Sequence, residues 1–108
     1  MSRSDVVAAV IPGAYGKPRP VLIIQSEAFH GLESVPVLPL TSDLYDAPIV
    51  RIGVEPTPEN GLREHSQIMI DKAATVPRRK IGRRIGRVDP GTMRQVDRAL
   101  ARFLGLAA

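Results

Sequence analysis

Residues 16–42, GKPRPVLIIQSEAFHGLESVPVLPLTS, hold two apolar runs separated by a polar segment, and their reading decides the fold. Val21 to Gln25 is continuous rather than alternating, as expected of a strand buried on both faces. Ser26 to Ser34 reads as a connection with one helical turn. Val35 to Leu40 is again strand-like, and Pro36 and Pro39 within it predict an edge strand or a bulge, because proline cannot donate to a hydrogen-bond ladder.

Working outward, Asp5 to Ile11 is a strand rich in Val and Ala that ends at Pro12-Gly13, and residues 12–19, PGAYGKPR, form a loop. Thr41-Ser42-Asp43 breaks the central pattern. Residues 48–54, PIVRIGV, alternate as a half-buried strand does. Glu55 to Leu62 is a turn whose Asn60-Gly61 pair suits positive backbone dihedrals and favours a reversal into a strand from Ser66 to Asp71. Pro77 to Lys80 reads as a short turn or 3₁₀ segment, and Ile81 to Val88 as the last strand.

The one helix predicted with full signals is the last element. Asp89 suits the N-cap and Pro90 the first helical position, and Met93, Val96, Leu100, Phe103 and Leu104 recur at three- and four-residue steps. That stripe packs on the sheet, while Arg94, Arg98 and Arg102 line another face. The pattern is mainly β: a small, curled, mostly antiparallel sheet or barrel of about five to seven strands closed by a C-terminal α-helix. One domain is expected to span residues 1–108.

Composition narrows the function. Hydrophobic residues make up 44% and charged residues 24% of the chain, which suits a folded globular domain rather than a disordered one. There is no cysteine, so thiolate metal sites, thiol nucleophiles and disulfides are excluded and a reducing compartment such as the cytoplasm is compatible. No apolar run reaches the length of a membrane span or a signal-peptide core. The net charge of +4 is unevenly spread. Residues 1–71 hold five Lys/Arg against nine Asp/Glu, and residues 72–108 hold ten against two. Such a basic half suits a polyanion or an acidic partner segment, and equally a solvated basic face.

His30 and His65 are isolated and lack the spacing of zinc ligands, so both read as structural or surface residues. Asp43 and Asp46 fall in one turn, where carboxylates more often cap the backbone than hold a cation. The chain has no nucleophile elbow, P-loop or dinucleotide fingerprint, and no cofactor is called for. An arginine and a hydroxyl remain. Arg19 lies between two prolines at the mouth of a buried strand, where its guanidinium would present a fixed fork to phosphate. Thr41-Ser42 lies where the next apolar strand ends. An RNA strand carries its own nucleophile, the 2′-hydroxyl, so a protein need only align it and stabilise charge on phosphorus. Judged by residue pattern alone, a salt-bridge or packing role for Arg19 stays open beside the catalytic one.

GKPRPVLIIQS at 16–26, PLTS at 39–42, SQIMIDKAATV at 66–76 and RIGRVD at 84–89, with Asp5 on the first strand, resemble in their order the MazF/PemK family of toxins. The resemblance covers nearly the whole chain. It implies an SH3-like barrel of the CcdB/PemK type, a homodimer, and metal-independent cleavage of single-stranded RNA at short sequences, restrained by a cognate antitoxin with an acidic, partly disordered tail. It carries the family's phosphate-contacting arginine onto Arg19 and its catalytic threonine onto Thr41, with Ser42 as a helper. Gln67, Asp71 and Lys72 become candidates for base or sugar contacts, and the basic block Arg78, Arg79, Lys80, Arg83, Arg84 and Arg87 a candidate track for RNA or antitoxin.

Two positions depart from the family. The loop before Arg19 lacks the Glu that several members use in acid–base chemistry, leaving proton transfer unassigned and Tyr15 and Lys17 as that loop's candidates for RNA contact. Ser4 stands where many members have Gly before the Asp. Two rivals share the architecture: a CcdB-like poison of DNA gyrase, and a non-catalytic SH3-like module that binds nucleic acid or protein. The Arg-Pro and Thr-Ser pairing favours the nuclease.

Overall fold

The computed structural model describes residues 1–13 and 15–108; the expected loop at 12–19 is therefore described except at Ala14. Among the described residues seven strands are formed: β1 (Asp5–Ala9), β2 (Arg19–Ile23), β3 (Ser34–Thr41), β4 (Arg51–Val54), β5 (Ser66–Met69), β6 (Ala74–Pro77) and β7 (Arg84–Arg87). Helix α1 (Pro90–Phe103) closes the chain. The strands run β4-β5-β3-β2-β1-β7, with β6 also on β3, and every pairing is antiparallel. The expected 3₁₀ turns are found at Glu27–Phe29, capped by the Ser26 hydroxyl, and at Arg78–Lys80.

The continuous apolar run of β2 has the predicted meaning. Leu22 joins Val6, Leu38, Leu40, Ile52, Ile68, Ile70, Met93 and Val96 in a core beneath α1, while Val21 and Ile23 join Val7, Ala9, Val35, Val37 and Val76 on the other face. Successive side chains of a strand point to opposite faces, so only a sheet covered on both sides makes an unbroken apolar strand favourable.

The proline reading of β3 is corrected: it is the most connected strand, bonded to β2, β5 and β6. Each proline falls where the ladder has no donor to lose. The Pro36 carbonyl accepts from the Ile24 N–H at 3.3 Å, and the Ile24 carbonyl, which a donor at 36 would have met, takes the Arg3 Nε–H at 3.3 Å instead. By alternation Pro39 turns its nitrogen to the opposite edge, at the point where the neighbour changes from β6 to β5.

Other boundaries shift for local reasons. β4 begins at Arg51 rather than Pro48, because the Val50 and Arg51 N–H groups both donate to the Ala47 carbonyl and close a turn that leaves Ile49 74% exposed. β5 stops at Met69 and Ile70–Lys72 coils into a 3₁₀ turn that buries Ile70. β6 was not foreseen. Ile81–Val88 shortens to Arg84–Arg87, with a bulge opposite Val6/Val7. In α1, Met93 and Val96 are buried as expected, whereas Phe103 and Leu104 at the end of the stripe are exposed. Arg94, Arg98 and Arg102 are also exposed.

Ser4 takes φ +81°, the conformation for which glycine has no steric penalty. It is held there by its N–H on the Ile23 carbonyl, its carbonyl on the Val88 N–H, and Arg87 Nε–H donating to its hydroxyl. The buried Asp5 carboxylate accepts the Ser2 N–H at 2.8 Å and lies beside Arg84 and Arg87. Asp89 caps α1 by accepting from the Thr92 N–H at 3.1 Å and from its hydroxyl. Those bonds, the hydroxyl's first, lower the Asp89 pKa below the usual carboxylate value. Because the ionised form is the one held, the cap's contribution is complete above the ordinary carboxylate range and is lost as pH falls through the lowered value. Asp89→Ala is expected to cost about 1 kcal/mol at neutral pH, and the gap to wild type in urea unfolding should narrow on strong acidification.

Candidate active site

Arg19 opens β2 and Thr41 ends β3, and the ladder brings them together. The β2–β3 ladder ends at Val21 and Pro39, and beyond it Arg19 stays paired with Ala9 of β1 while Thr41 passes to Gln67 of β5, so the two residues stand at the ends of neighbouring strands just past their last pairing. Both end at the same concavity, where a guanidinium and a hydroxyl can address one phosphate. Pro18 and Pro20 hold the approach to Arg19 extended, since a residue before proline is kept out of the helical region.

Both residues line a cleft of about 670 Å³. Pro12 and Gly13 from the β1–β2 loop, Ser42 and Asp43 from the β3–β4 loop, Arg63 and Glu64 before β5, and Arg83 before β7 complete its rim. Among the described residues, no carboxylate lies within ion-pair distance of Arg19, Arg63 or Arg83. The salt-bridge role that residue pattern left open for Arg19 thus has no partner among the described residues. Three guanidinium groups without a carboxylate partner among the described residues share the lining with the carboxylates of Asp43 and Glu64, a net positive concavity that suits an anion. The Thr41 Oγ accepts the Asp43 N–H at 3.0 Å, which fixes the start of the loop and leaves the hydroxyl proton free to donate elsewhere.

Arg63 and Glu64 were not anticipated. They arrive through the buried Asn60, whose Oδ1 accepts from the Thr57 and Leu62 N–H groups at 3.0 Å each and whose Nδ2–H donates to the Glu55 carbonyl at 2.8 Å. The Asn60-Gly61 turn signal was legible; that it aims the next residues into the site was not. Removing the amide leaves three backbone groups without their partners. Asn60→Ala should therefore destabilise the chain by about 3 kcal/mol, measured by urea unfolding.

The remaining site residues are dispersed. Tyr15 and Lys17 stand exposed on the β1–β2 loop outside the cleft lining, Tyr15 at φ +53°. Gln67, expected to border the groove as an RNA contact, pairs opposite Thr41 but commits its amide to Tyr45 and Arg51. Asp71 and Lys72 lie exposed on the turn between β5 and β6, away from the cleft lining. The basic block is divided: Arg78 donates to the Leu32 and Phe29 carbonyls and to Gln25, Arg84 and Arg87 flank Asp5, and only Arg83 lines the cleft. His30 folds back on the Glu27 carbonyl and His65 pairs with Glu55 at 3.2 Å. Among the described residues, no helix is long and apolar enough to cross a membrane.

A curled seven-stranded sheet with an arginine-lined cleft at one end, closed by a C-terminal helix, is the architecture of a known class of small toxins. Residues 2–104 match the model of the PemK-like, MazF-like toxins of type II toxin–antitoxin systems, and the chain belongs to that family. It is 51% identical over 108 residues to the probable endoribonuclease MazF of Mycolicibacterium smegmatis, a match covering 99% of each chain. Among solved structures it resembles the Mycobacterium tuberculosis toxin MazF-mt6, with a TM-score of 0.80 and 26% identity over 98% of this chain and 100% of that one. It also resembles an endoribonuclease solved in complex with its cognate antitoxin from a mycobacterial species, with a TM-score of 0.81 and 27% identity over 100% of this chain and 98% of that one. The expected CcdB/PemK-type fold and family are borne out.

Proposed function

We propose that residues 1–108 act as one toxin domain, a metal-independent endoribonuclease that cuts single-stranded RNA at Arg19 and Thr41. The observation that carries this reading is that Arg19 at the start of β2 and Thr41 at the end of the neighbouring β3 line the same cleft, with no carboxylate paired to the arginine among the described residues. The 2′-oxygen of one nucleotide attacks the adjacent phosphorus, and the bond from phosphorus to the 5′-oxygen breaks. A 2′,3′-cyclic phosphate and a 5′-hydroxyl result. Arg19 neutralises the non-bridging oxygens as charge builds on them, and the Thr41 hydroxyl donates to one of them. The 2′-hydroxyl proton must leave and the 5′-oxygen must gain one. Of the residues lining the cleft only Asp43 and Glu64 carry a carboxylate, so they replace the Glu missing from the loop before Arg19 as candidates for that transfer.

Ser42 on the rim, with Tyr15 and Lys17 on the neighbouring loop, contacts the RNA. The chain works in the cytoplasm as a homodimer. A cognate antitoxin with an acidic segment restrains it, in line with the related endoribonuclease solved with its antitoxin and with the exposed cations Arg79, Lys80, Arg94, Arg98 and Arg102. The test is incubation of antitoxin-free protein with long single-stranded RNA in excess EDTA. Discrete fragments ending in cyclic phosphate are expected. Intact RNA from folded protein, across RNAs sampling many sequences, overturns the reading.

A further inference from the structure

Tyr45 lies on the β3–β4 loop, two residues beyond Asp43 of the cleft rim, hence within about 7 Å of it along the chain. Its backbone is held from both sides: the Gln67 Oε1 accepts the Tyr45 N–H at 3.1 Å, and the Gln67 Nε2–H donates to the Tyr45 carbonyl at 2.9 Å. Arg51 donates to the same Gln67 oxygen at 2.9 Å and to the Asp43 carbonyl at 2.8 Å, and its guanidinium lies over the Tyr45 ring, 4.6 Å from the centroid. Two hydrogen bonds on its backbone, two more that tie Arg51 to Gln67 and Asp43, and a cation–π contact thus position a residue that belongs to neither hydrophobic core and remains 59% exposed. Tyr15, the only other tyrosine, is 97% exposed on the opposite loop and has no hydrogen bond or cation stacked on it among the described residues.

We propose that the open face of the Tyr45 ring is a stacking platform for one base of the RNA strand flanking the phosphate held at Arg19 and Thr41. The proposal rests on the endoribonuclease reading above. Single-stranded RNA is gripped by stacking its unpaired bases on aromatic rings, and every base has a face to offer. A ring whose backbone is held by Gln67 and whose one face is covered by Arg51 loses less further freedom when a base settles on it, so more of the stacking energy appears as affinity. The guanidinium occupies one face of the ring, leaves the other to a base, and adds positive charge close to the strand.

The probe is a fluorescent single-stranded RNA carrying the sequence that the wild-type chain cuts, blocked by a 2′-O-methyl group on the attacking nucleotide. A matched set lacks one base at a time. Tyr45→Ala should weaken binding about 5- to 150-fold and Tyr45→Phe should restore it. One abasic position should weaken wild type by the same factor and weaken Tyr45→Ala no further. A loss that no single abasic position reproduces would mean that the substitution merely loosens the loop, and the platform is then rejected. Equal binding by Tyr45→Ala and a wild type that cuts RNA overturns the platform alone. A folded wild type that neither binds nor cuts RNA overturns the platform together with the reading of the cleft.

Discussion

Arg19→Ala should cut single-stranded RNA at least about a hundredfold more slowly than wild type in excess EDTA, with its thermal unfolding unchanged. The side chain is exposed and, among the described residues, unpaired, so its removal breaks no core contact and strands no buried charge. What is lost is a donor aimed at charge that develops only as the phosphorane forms, and such a loss falls mainly on kcat rather than KM. Arg19→Lys should recover only part of the rate, because an ammonium keeps the charge but not the planar fork that addresses two phosphate oxygens. In the same assay Thr41→Ser should keep most of the activity and Thr41→Ala should lose it. A Thr41→Ala chain of normal rate would remove the hydroxyl from the mechanism.

The largest effect on stability is expected at Gly86. A Cβ there would lie 2.3 Å from both the carbon and the oxygen of the Asn60 carbonyl and 2.5 Å from the Glu59 carbonyl oxygen, all of them backbone atoms. β7 and the 55–62 loop are interlocked at this point, since the Arg87 N–H donates to the Glu59 carbonyl at 2.8 Å. Gly86→Ala should cost about 3 kcal/mol or more, seen as a fall in Tm of roughly 12 °C or more. Gly61 meets the same interface from the other side: its Cβ would lie 2.2 Å from the Ile85 carbonyl oxygen, at φ +69°. The double variant Gly61→Ala/Gly86→Ala should therefore lose less than the two single losses combined, because a loop lifted off β7 by one methyl group no longer clashes with the second. Full additivity in urea unfolding would show that the two glycines act on separate contacts.

The loss at Gly86 should also reach activity. The loop that Gly86 admits against β7 is the one that carries Arg63 and Glu64 into the cleft. Packing at the far edge of the sheet and charge in the site are coupled through that backbone.

Local chemistry was enough to read the elements whose signals lie within a few residues. The Asp89-Pro90 start of α1, the two-faced burial of β2, the 3₁₀ turns after Ser26 and Pro77, and the reversal at Asn60-Gly61 all follow from side chains acting on their own backbone. Arg19 and Thr41-Ser42 stand out as candidate site residues for the same reason: each marks a strand end, and their order along the chain resembles a family.

Only the tertiary structure decided what depends on register and on which edge of a strand meets which neighbour. β6 is four residues long, and the first half of β3 gives it a partner. Pro36 and Pro39 look like edge residues in a string of letters, yet sit mid-sheet because their missing donors face a strand end and a change of neighbour. Gln67 reads as a free polar contact but is consumed in holding Tyr45. Arg63, Glu64 and Arg83 join Arg19 from segments 44 to 64 positions away in the chain. Propensity and pattern are local, whereas a cleft is made by strand pairing, and a one-residue change of register would turn strand residues such as Gln67 to the other face of the sheet.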